Sequence, residues 1–287
     1  MPDNLPATFN GFSALAQSQL IALSGPDCLA FAQAQFANDV LALANGHWQW
    51  SAWLTAKGRV ISVFQLLRID EQTLLLIHHD GDGNTVAEQL RRFVFRRKLN
   101  ISTDEEQVVS AGFCAPAQAQ GATIAQLDGG ILELDVGSAA LPRTLRLVPR
   151  SSARLATTED ELAWRQSDLR YGLARLLPSQ AEQWTPQQLG LDRLNAYSVK
   201  KGCYPGQEIV ARTHFLGKAK RSLQLLQAEH DVAAGSAVSR EAATLGTVAS
   251  SAGRLALAVL PLELESGPLE VAGGPAETLA LLDGLAR

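Results

Sequence analysis

Lys200-Lys201-Gly202-Cys203-Tyr204-Pro205-Gly206-Gln207-Glu208 is the most informative segment of this 287-residue sequence. Residues 196–199 read as a short strand ahead of it. Residues 206–212 read as a helix opening with Gln207 and Glu208. That places Cys203 on a tight bend between strand and helix. Gly202 and Gly206 permit backbone conformations closed to other residues, and Pro205 stiffens the bend. Two lysines precede the thiol and the positive end of a helix lies close in sequence, and both influences favour thiolate over thiol. Cys203 is thus a candidate reactive or ligand thiol, with Lys201 as the residue that tunes it. A free cysteine at a turn is equally often a small buried side chain. The spacing leaves both readings open.

Working outward, the chain mixes helices and strands irregularly. Asp27 is placed to cap a helix reaching residue 36. Residues 60–69 are apolar and β-branched and predict a strand, residues 73–78 its partner, and 70–72 the turn between them. A helix is predicted from Asn84 or Thr85 to about residue 95. Residues 131–136 alternate apolar and acidic, and 145–148 follow as another strand. Thr158 and Glu161 have capping-box spacing, which predicts a helix over 159–171. Thr185, Pro186 and Gln188 repeat that start signal for a shorter helix ending near residue 194. After about His214 the chain turns to short apolar runs separated by Gly, Ser and Ala (223–226, 245–248 and 255–260). That composition predicts a small all-β domain over 214–287.

Charged residues make up 19% of the chain and hydrophobic residues 46%, enough apolar surface for a real core. The formal net charge of −4 excludes a protein that works through a uniformly basic surface. Cys28, Cys114 and Cys203 are too far apart for a zinc or redox pair. The odd count, with no leader-like start, points to a reducing, cytoplasmic setting. The apolar run 255–262 is far too short to cross a membrane.

The usual catalytic signatures are missing: no phosphate loop, no nucleophile elbow, no paired-histidine zinc helix. Asp80-Gly81-Asp82-Gly83-Asn84 resembles a calcium loop only briefly, since Arg91 stands where the late carboxylate belongs. His78 and His79 are adjacent and face opposite sides of a strand, so no metal site is expected. Arg91, Arg92, Arg96, Arg97 and Lys98 surround Phe93, Val94 and Phe95. The cluster reads either as a phosphate-binding face or as the solvated side of an amphipathic helix. Net acidity favours the second.

Lys201 to Glu208 matches every fixed position of K-G-C-Y-x-G-Q-E and resembles the signature of the YgfZ family of folate-binding, tRNA-modification-related proteins. Other pieces agree in order: Leu23-Ser24-Gly25-Pro26-Asp27, Asn38-Asp39-Val40, Lys57-Gly58-Arg59, then Ala211-Arg212, Gly217 and Lys220-Arg221. The likeness runs from about residue 12 into the C-terminal domain. It implies an α+β fold similar to the T-protein of the glycine cleavage system, a tetrahydrofolate-dependent aminomethyltransferase. Three domains would form a ring around a folate site. Residues 1–213 would hold two interleaved α+β domains, and 214–287 a C-terminal β-barrel. The resemblance further implies tetrahydrofolate or another folate as cofactor. It implies an accessory role for iron–sulfur enzymes, the expected clients, including those that thiolate tRNA. The motif residues Gly202, Tyr204, Gly206, Gln207, Glu208 and Arg212 come with it.

Two departures bear on chemistry. Ser62-Val63 stands where the T-protein carries an acidic pair, and neither residue is a carboxylate base. Ser18 stands where the family carries one of two folate-associated tryptophans, and Trp164 matches the other. On a helix, Leu162 and Leu169 share one face, while Trp164, Asp168 and Tyr171 share the opposite one. That second face packs either against a neighbouring domain or against a pterin ring, with Asp168 accepting from its amino group. With the resemblance, the sequence supports a folate-binding accessory protein with a reactive Cys203 near the tetrahydrofolate cavity. The alternative is a tetrahydrofolate-dependent one-carbon transferase. Direct tRNA binding through 91–98 is a third, weaker reading.

Overall fold

The computed structural model describes residues 7–287 except 218, 242, 265 and 266. β1 (Ser13–Ala14) opens one sheet. The chain then leaves it for β2 (Gln19–Ser24), α1 (Cys28–Gln35), β3 (His47–Leu54), β4 (Val60–Arg68), β5 (Thr73–His78), α2 (Gly83–Arg91) and β6 (Asn100–Asp104). These strands form a five-stranded sheet in the order β3-β4-β5-β2-β6. The chain returns to the first sheet with β7 (Gln107–Gly112), β8 (Ile124–Gln126), β9 (Leu132–Asp135) and β10 (Thr144–Pro149), giving the order β1-β7-β10-β9-β8. The two sheets are thus interleaved in sequence.

α3 (Thr158–Arg170) and α4 (Gln207–Phe215) follow. A closed barrel of six strands completes the fold: β11 (Arg221–Ala228), β12 (Ala237–Arg240), β13 (Ala243–Ala252), β14 (Leu255–Pro261), β15 (Leu269–Val271) and β16 (Gly274–Leu279). This is the α+β architecture with a terminal barrel that the sequence predicted. No helix among the described residues is long and apolar enough to cross a membrane.

β4 shows why its sequence reads as one apolar run. Phe64 and Leu66 enter a core with Phe31 and Phe36 from the α1 segment and Leu90 of α2. Val63 and Leu67 point the other way, into a larger core with Trp48, Trp50, Trp164 and residues of the other sheet and the barrel. Both faces are buried, so the period of two carries no polar face. β4 and β5 pair antiparallel with Phe64 opposite His78.

Several local expectations are corrected. Asp27 stands at the N-cap position of α1 but its side chain makes no capping bond; the carboxylate accepts from the Lys98 N–H at 2.6 Å instead. The capping box of α3 is Thr157 with Asp160, one residue before the expected pair. Glu161 instead accepts from the Ala16 N–H. α2 stops at Arg91, four residues short of the prediction, and the backbone turns left-handed at Arg96, with φ 54°. Residues 185–195 form successive turns rather than a helix, and 196–199 form no strand. There the backbone is taken by tertiary and side-chain bonds: Ser198 N–H donates to the Ala37 carbonyl at 2.9 Å, and Lys200 and Lys201 N–H donate to Ser198 Oγ. Cys203 therefore sits on an irregular loop ahead of α4. Leu162 is 39% exposed, so Trp164, Asp168, Leu169 and Tyr171 form the buried side of α3.

The loop docks through two glycines. Gly206 has φ +80°, and a Cβ there would lie 2.6 Å from Gly58 Cα and 2.7 Å from the Thr55 carbonyl oxygen. Gly58, in the β3–β4 turn, has φ +69° and faces Ile209 of α4 just as closely. Gly202 differs: its φ is not positive and a Cβ there meets nothing within 4 Å. Gly206→Ala should therefore cost about 2 kcal/mol or more through strain and backbone collision. Gly202→Ala should be close to neutral. Urea denaturation of both variants checks this, and equal midpoints would refute the docking.

Candidate functional site

Lys201 fastens the motif loop to the end of α1. Its Nζ donates to the backbone carbonyls of Gln33 at 2.7 Å, Phe36 at 2.6 Å and Asn38 at 2.8 Å. An ammonium has three protons, and here all three have acceptors. The Gln33 and Phe36 carbonyls lie at the negative end of α1, where a cation is favoured, and Asn38 adds one from the chain just beyond it. Burial pulls the Lys201 amine down to about 8, opposed by the charge of Asp39. The ammonium also lies 5.0 Å from the centre of the Tyr204 ring, whose hydroxyl donates to the Ser198 carbonyl. Gln207 Nε2 donates to the Lys201 carbonyl. Asn38 completes the junction, donating to the carbonyls of Trp50 and Asn195.

On this base Cys203 is exposed, as is Cys114, whereas Cys28 is buried. Burial pushes the Cys28 thiol up. Glu208 and Arg212 form an exposed pair one helical turn apart, at 3.7 Å. Such a pair adds little stability. The motif thus divides into residues that hold the loop (Lys201, Tyr204, Gly206, Gln207) and residues that solvent reaches (Cys203, Glu208, Arg212).

Trp164, Asp168 and Tyr171 lie together around a residue the sequence did not single out. The Arg143 guanidinium sits 4.8 Å from the Trp164 ring centre and 4.5 Å from that of Tyr171. It donates to Asp168 at 2.7 Å, and Arg175 donates to the other carboxylate oxygen at 2.5 Å. Burial raises the Asp168 carboxyl to about 6, and the two guanidiniums hold it ionised at neutral pH. Both of its oxygens are engaged. Tyr171 is occupied too, its hydroxyl donating to the Leu141 carbonyl at 2.7 Å and bonded to Ser138 Oγ.

Trp164 alone of these three also borders open space. Leu15, Gln17, Ser18, His79, Asp80, Glu161, Arg165, Arg175 and Leu177 share that cleft with it. Ser18, placed by resemblance where a tryptophan was expected, is thus opposite Trp164. The cleft encloses about 350 Å³ of non-atom space, open solvent included, of which about 20 Å³ can hold the centre of a water molecule, room for about one water. No residue from 200 to 208 lines it.

The wall facing Trp164 is a chain of polar contacts at the end of β5. His79 Nε2 donates to Gln65 Oε1 at 2.5 Å, so its Nδ1 accepts from the Ser18 hydroxyl at 2.8 Å. His78 points oppositely and meets Ser62 Oγ at 3.0 Å. Burial takes the His78 imidazole down to about 4 and the Asp80 carboxyl up to about 8. Asp80 is therefore a neutral acid at pH 7, accepting from the Leu176 N–H at 2.9 Å. Burial also raises Glu161. Two buried ring nitrogens have no hydrogen-bond partner here, the indole N–H of Trp164 and Nε2 of His78. Arg143 and Arg175 carry no motif signal, Asp80 stands out only in the rejected calcium-loop pattern, and only the fold brings the three to Trp164.

Asp80 has a folded value above its unfolded one, so its contribution to stability is complete below about pH 4 and is lost as pH rises toward 8. Relative to Asp80→Asn, the wild type should lose stability steadily between pH 4 and 8, with no further divergence above. His78 is present in both proteins and cancels. Thermal melts across that range check the sign, and parallel curves would contradict it.

No family model matches the chain. Several relatives do. A protein of Pectobacterium carotovorum subsp. carotovorum, named "tRNA-modifying protein YgfZ", is 30% identical over 235 residues, covering 72% of this chain and 67% of its own. The protein of that name from Aliivibrio fischeri strain MJ11 is 27% identical over 262 residues, or 84% and 82% of the two chains. Among solved structures, the glycine cleavage system aminomethyltransferase T of Bartonella henselae superposes with a TM-score of 0.73 over 95% of this chain and 85% of its own. At 16% identity that likeness establishes the fold alone. Taken with the complete Lys201–Glu208 signature, the identity over two thirds of both chains makes this protein a member of the YgfZ family of tRNA-modifying proteins.

Proposed function

We propose that this protein is a folate-binding accessory factor that supports iron–sulfur enzymes of tRNA modification, presenting the Cys203 thiol on a fixed loop. One observation carries the proposal: an unpartnered, buried Trp164 N–H beside a cleft whose other walls offer the protonated Asp80 carboxyl, the Glu161 carboxyl and two guanidiniums. An orphaned buried donor costs stability unless something occupies it. The donor set suits a folate. Trp164 Nε1 and Arg165 face acceptors of a pterin, Asp80 or Glu161 its amino group, and the Trp164 ring its flat surface. With room for about one water, the cleft has to widen to take a pterin, and the exposed Leu177 and Gln17 are lining side chains free to move aside. Tetrahydrofolate supplies a carrier for one-carbon units when bound.

The thiol and the cleft are separate places. Cys203 belongs to a loop held by Lys201 and Gly206, and the cleft belongs to α3 and the end of β5. The T-protein's aminomethyl transfer is not proposed. Ser62 is bonded to His78, and Asp80, the carboxyl nearest in kind, holds its proton at neutral pH and is a poor base. In this account the folate bound in the cleft sets the state of the protein, and Cys203 meets the client enzyme.

Calorimetric titration with tetrahydrofolate tests the cleft. Trp164→Phe keeps the ring against Arg143 but removes the N–H, and should weaken binding about tenfold. Leu177→Trp, at an exposed rim position, should block it. Unchanged affinity in both variants would overturn the assignment. Cys203→Ala should fold and bind folate as the wild type does, yet fail to rescue tRNA thiolation in a strain lacking the protein. Full rescue would remove the thiol from the account.

A further inference from the structure

The segment after α2 is built unlike a helix face. Arg91, Arg92, Phe93, Phe95, Arg96 and Lys98 are all exposed, Phe93 by 49% and Phe95 by 74%. Turn bonds take the chain out of the helix: Phe93 N–H donates to Leu90, Val94 N–H to Arg91, and Phe95 N–H to the Phe93 carbonyl at 3.0 Å. Arg96 then adopts φ 54°, a conformation that non-glycine residues seldom take. The strained turn sets Phe95 outward. Phe93 is rooted by an edge contact with Trp53, 6.1 Å between ring centres at 90°. The Arg96 guanidinium lies 5.0 Å from the Phe95 ring centre.

Charge here runs against the rest of the protein. Five cations (Arg91, Arg92, Arg96, Arg97 and Lys98) fall within eight residues, with Glu88 one turn back on α2 and the Asp27 carboxylate held on the Lys98 N–H. The chain as a whole is net acidic. Aromatic rings standing free among cations match one chemistry closely: bases stack on the rings while phosphates meet the cations. A duplex hides the faces of its bases, so the occupant is single-stranded. A membrane surface fits less well, because two phenylalanines offer little apolar area and inserting Phe95 would drag the Arg96 guanidinium with it.

We propose that the turn 91–98 is a contact site for a single strand of nucleic acid, with Phe95 and Arg96 as the stacking platform and Arg92, Arg97 and Lys98 as phosphate contacts. It is independent of the folate cleft and of Cys203, and stands or falls without them.

Fluorescence anisotropy of the full chain with a labelled oligouridylate of about 16 nucleotides tests it. The wild type should bind, with affinity falling between about 50 and 200 mM salt. Phe95→Ala should weaken binding about tenfold and leave the salt slope unchanged. Combined Arg92→Gln and Arg97→Gln should lower the slope by about 1.4. The affected side chains are exposed or part-exposed, and matching thermal melts confirm intact folding. Wild-type affinity in both variants, or no binding by the wild type at the lower salt, overturns the proposal. So does Phe95-dependent binding to phosphatidylserine vesicles with none to the oligouridylate.

Discussion

Three carbonyl oxygens at and just beyond the end of one short helix converge on the ammonium of Lys201, and the placement of the motif loop depends on that convergence. Charge-assisted hydrogen bonds of this kind contribute about 1.5–3 kcal/mol each. They hold residues 198–206 against the α1–β3 connection from a point more than 160 positions away in sequence. Asn38 and the Ser198–Ala37 bond reinforce the same junction, and the Gly58–Gly206 contact fixes its other side. With the loop pinned at both ends, Cys203 remains exposed yet positioned. Lys201, read from sequence as a residue that tunes the thiol, acts first as a fastener, because it has no proton left to offer.

A second buried charge organises the other half of the molecule. Asp168 on α3 holds Arg143 from the edge of β10 and Arg175 from the segment after α3. A lone buried carboxylate would be costly, and two guanidiniums with fixed forks make it tolerable. The arrangement joins α3 to the first sheet and stacks Arg143 between Trp164 and Tyr171. It also sets the two aromatics apart. Tyr171 is tied to Leu141, while the Trp164 N–H is left with nothing.

Legibility from sequence followed the range of the forces involved. β4 and β5 were readable because continuous apolar runs broken by polar turns have few alternatives. The start of α3 was off by one residue because Thr157 and Thr158 both suit a cap. The barrel showed itself through short apolar runs and small-residue breaks. Thr185 and Gln188 do exchange capping bonds, but left-handed residues at Gly190 and Asn195 break 185–195 into turns, and 196–199 were misread because the Ser198 N–H bonds to distant backbone at Ala37. The end of α2 was misplaced because Val94 and Phe95 continue a helical spacing that the turn at Arg96 breaks. Asp80, Arg143 and Arg175 were invisible as a site, since a single charged residue becomes one only when folding buries it beside another.

The central claim is that Lys201 secures the loop bearing Cys203. Hydrogen–deuterium exchange of the amides at Ser198, Lys200 and Lys201 tests it most directly, comparing wild type with Lys201→Met. The account predicts slow exchange in the wild type and much faster exchange in the variant, confined to residues 198–206 and the end of α1. Equal exchange rates at these amides in the two proteins would contradict it.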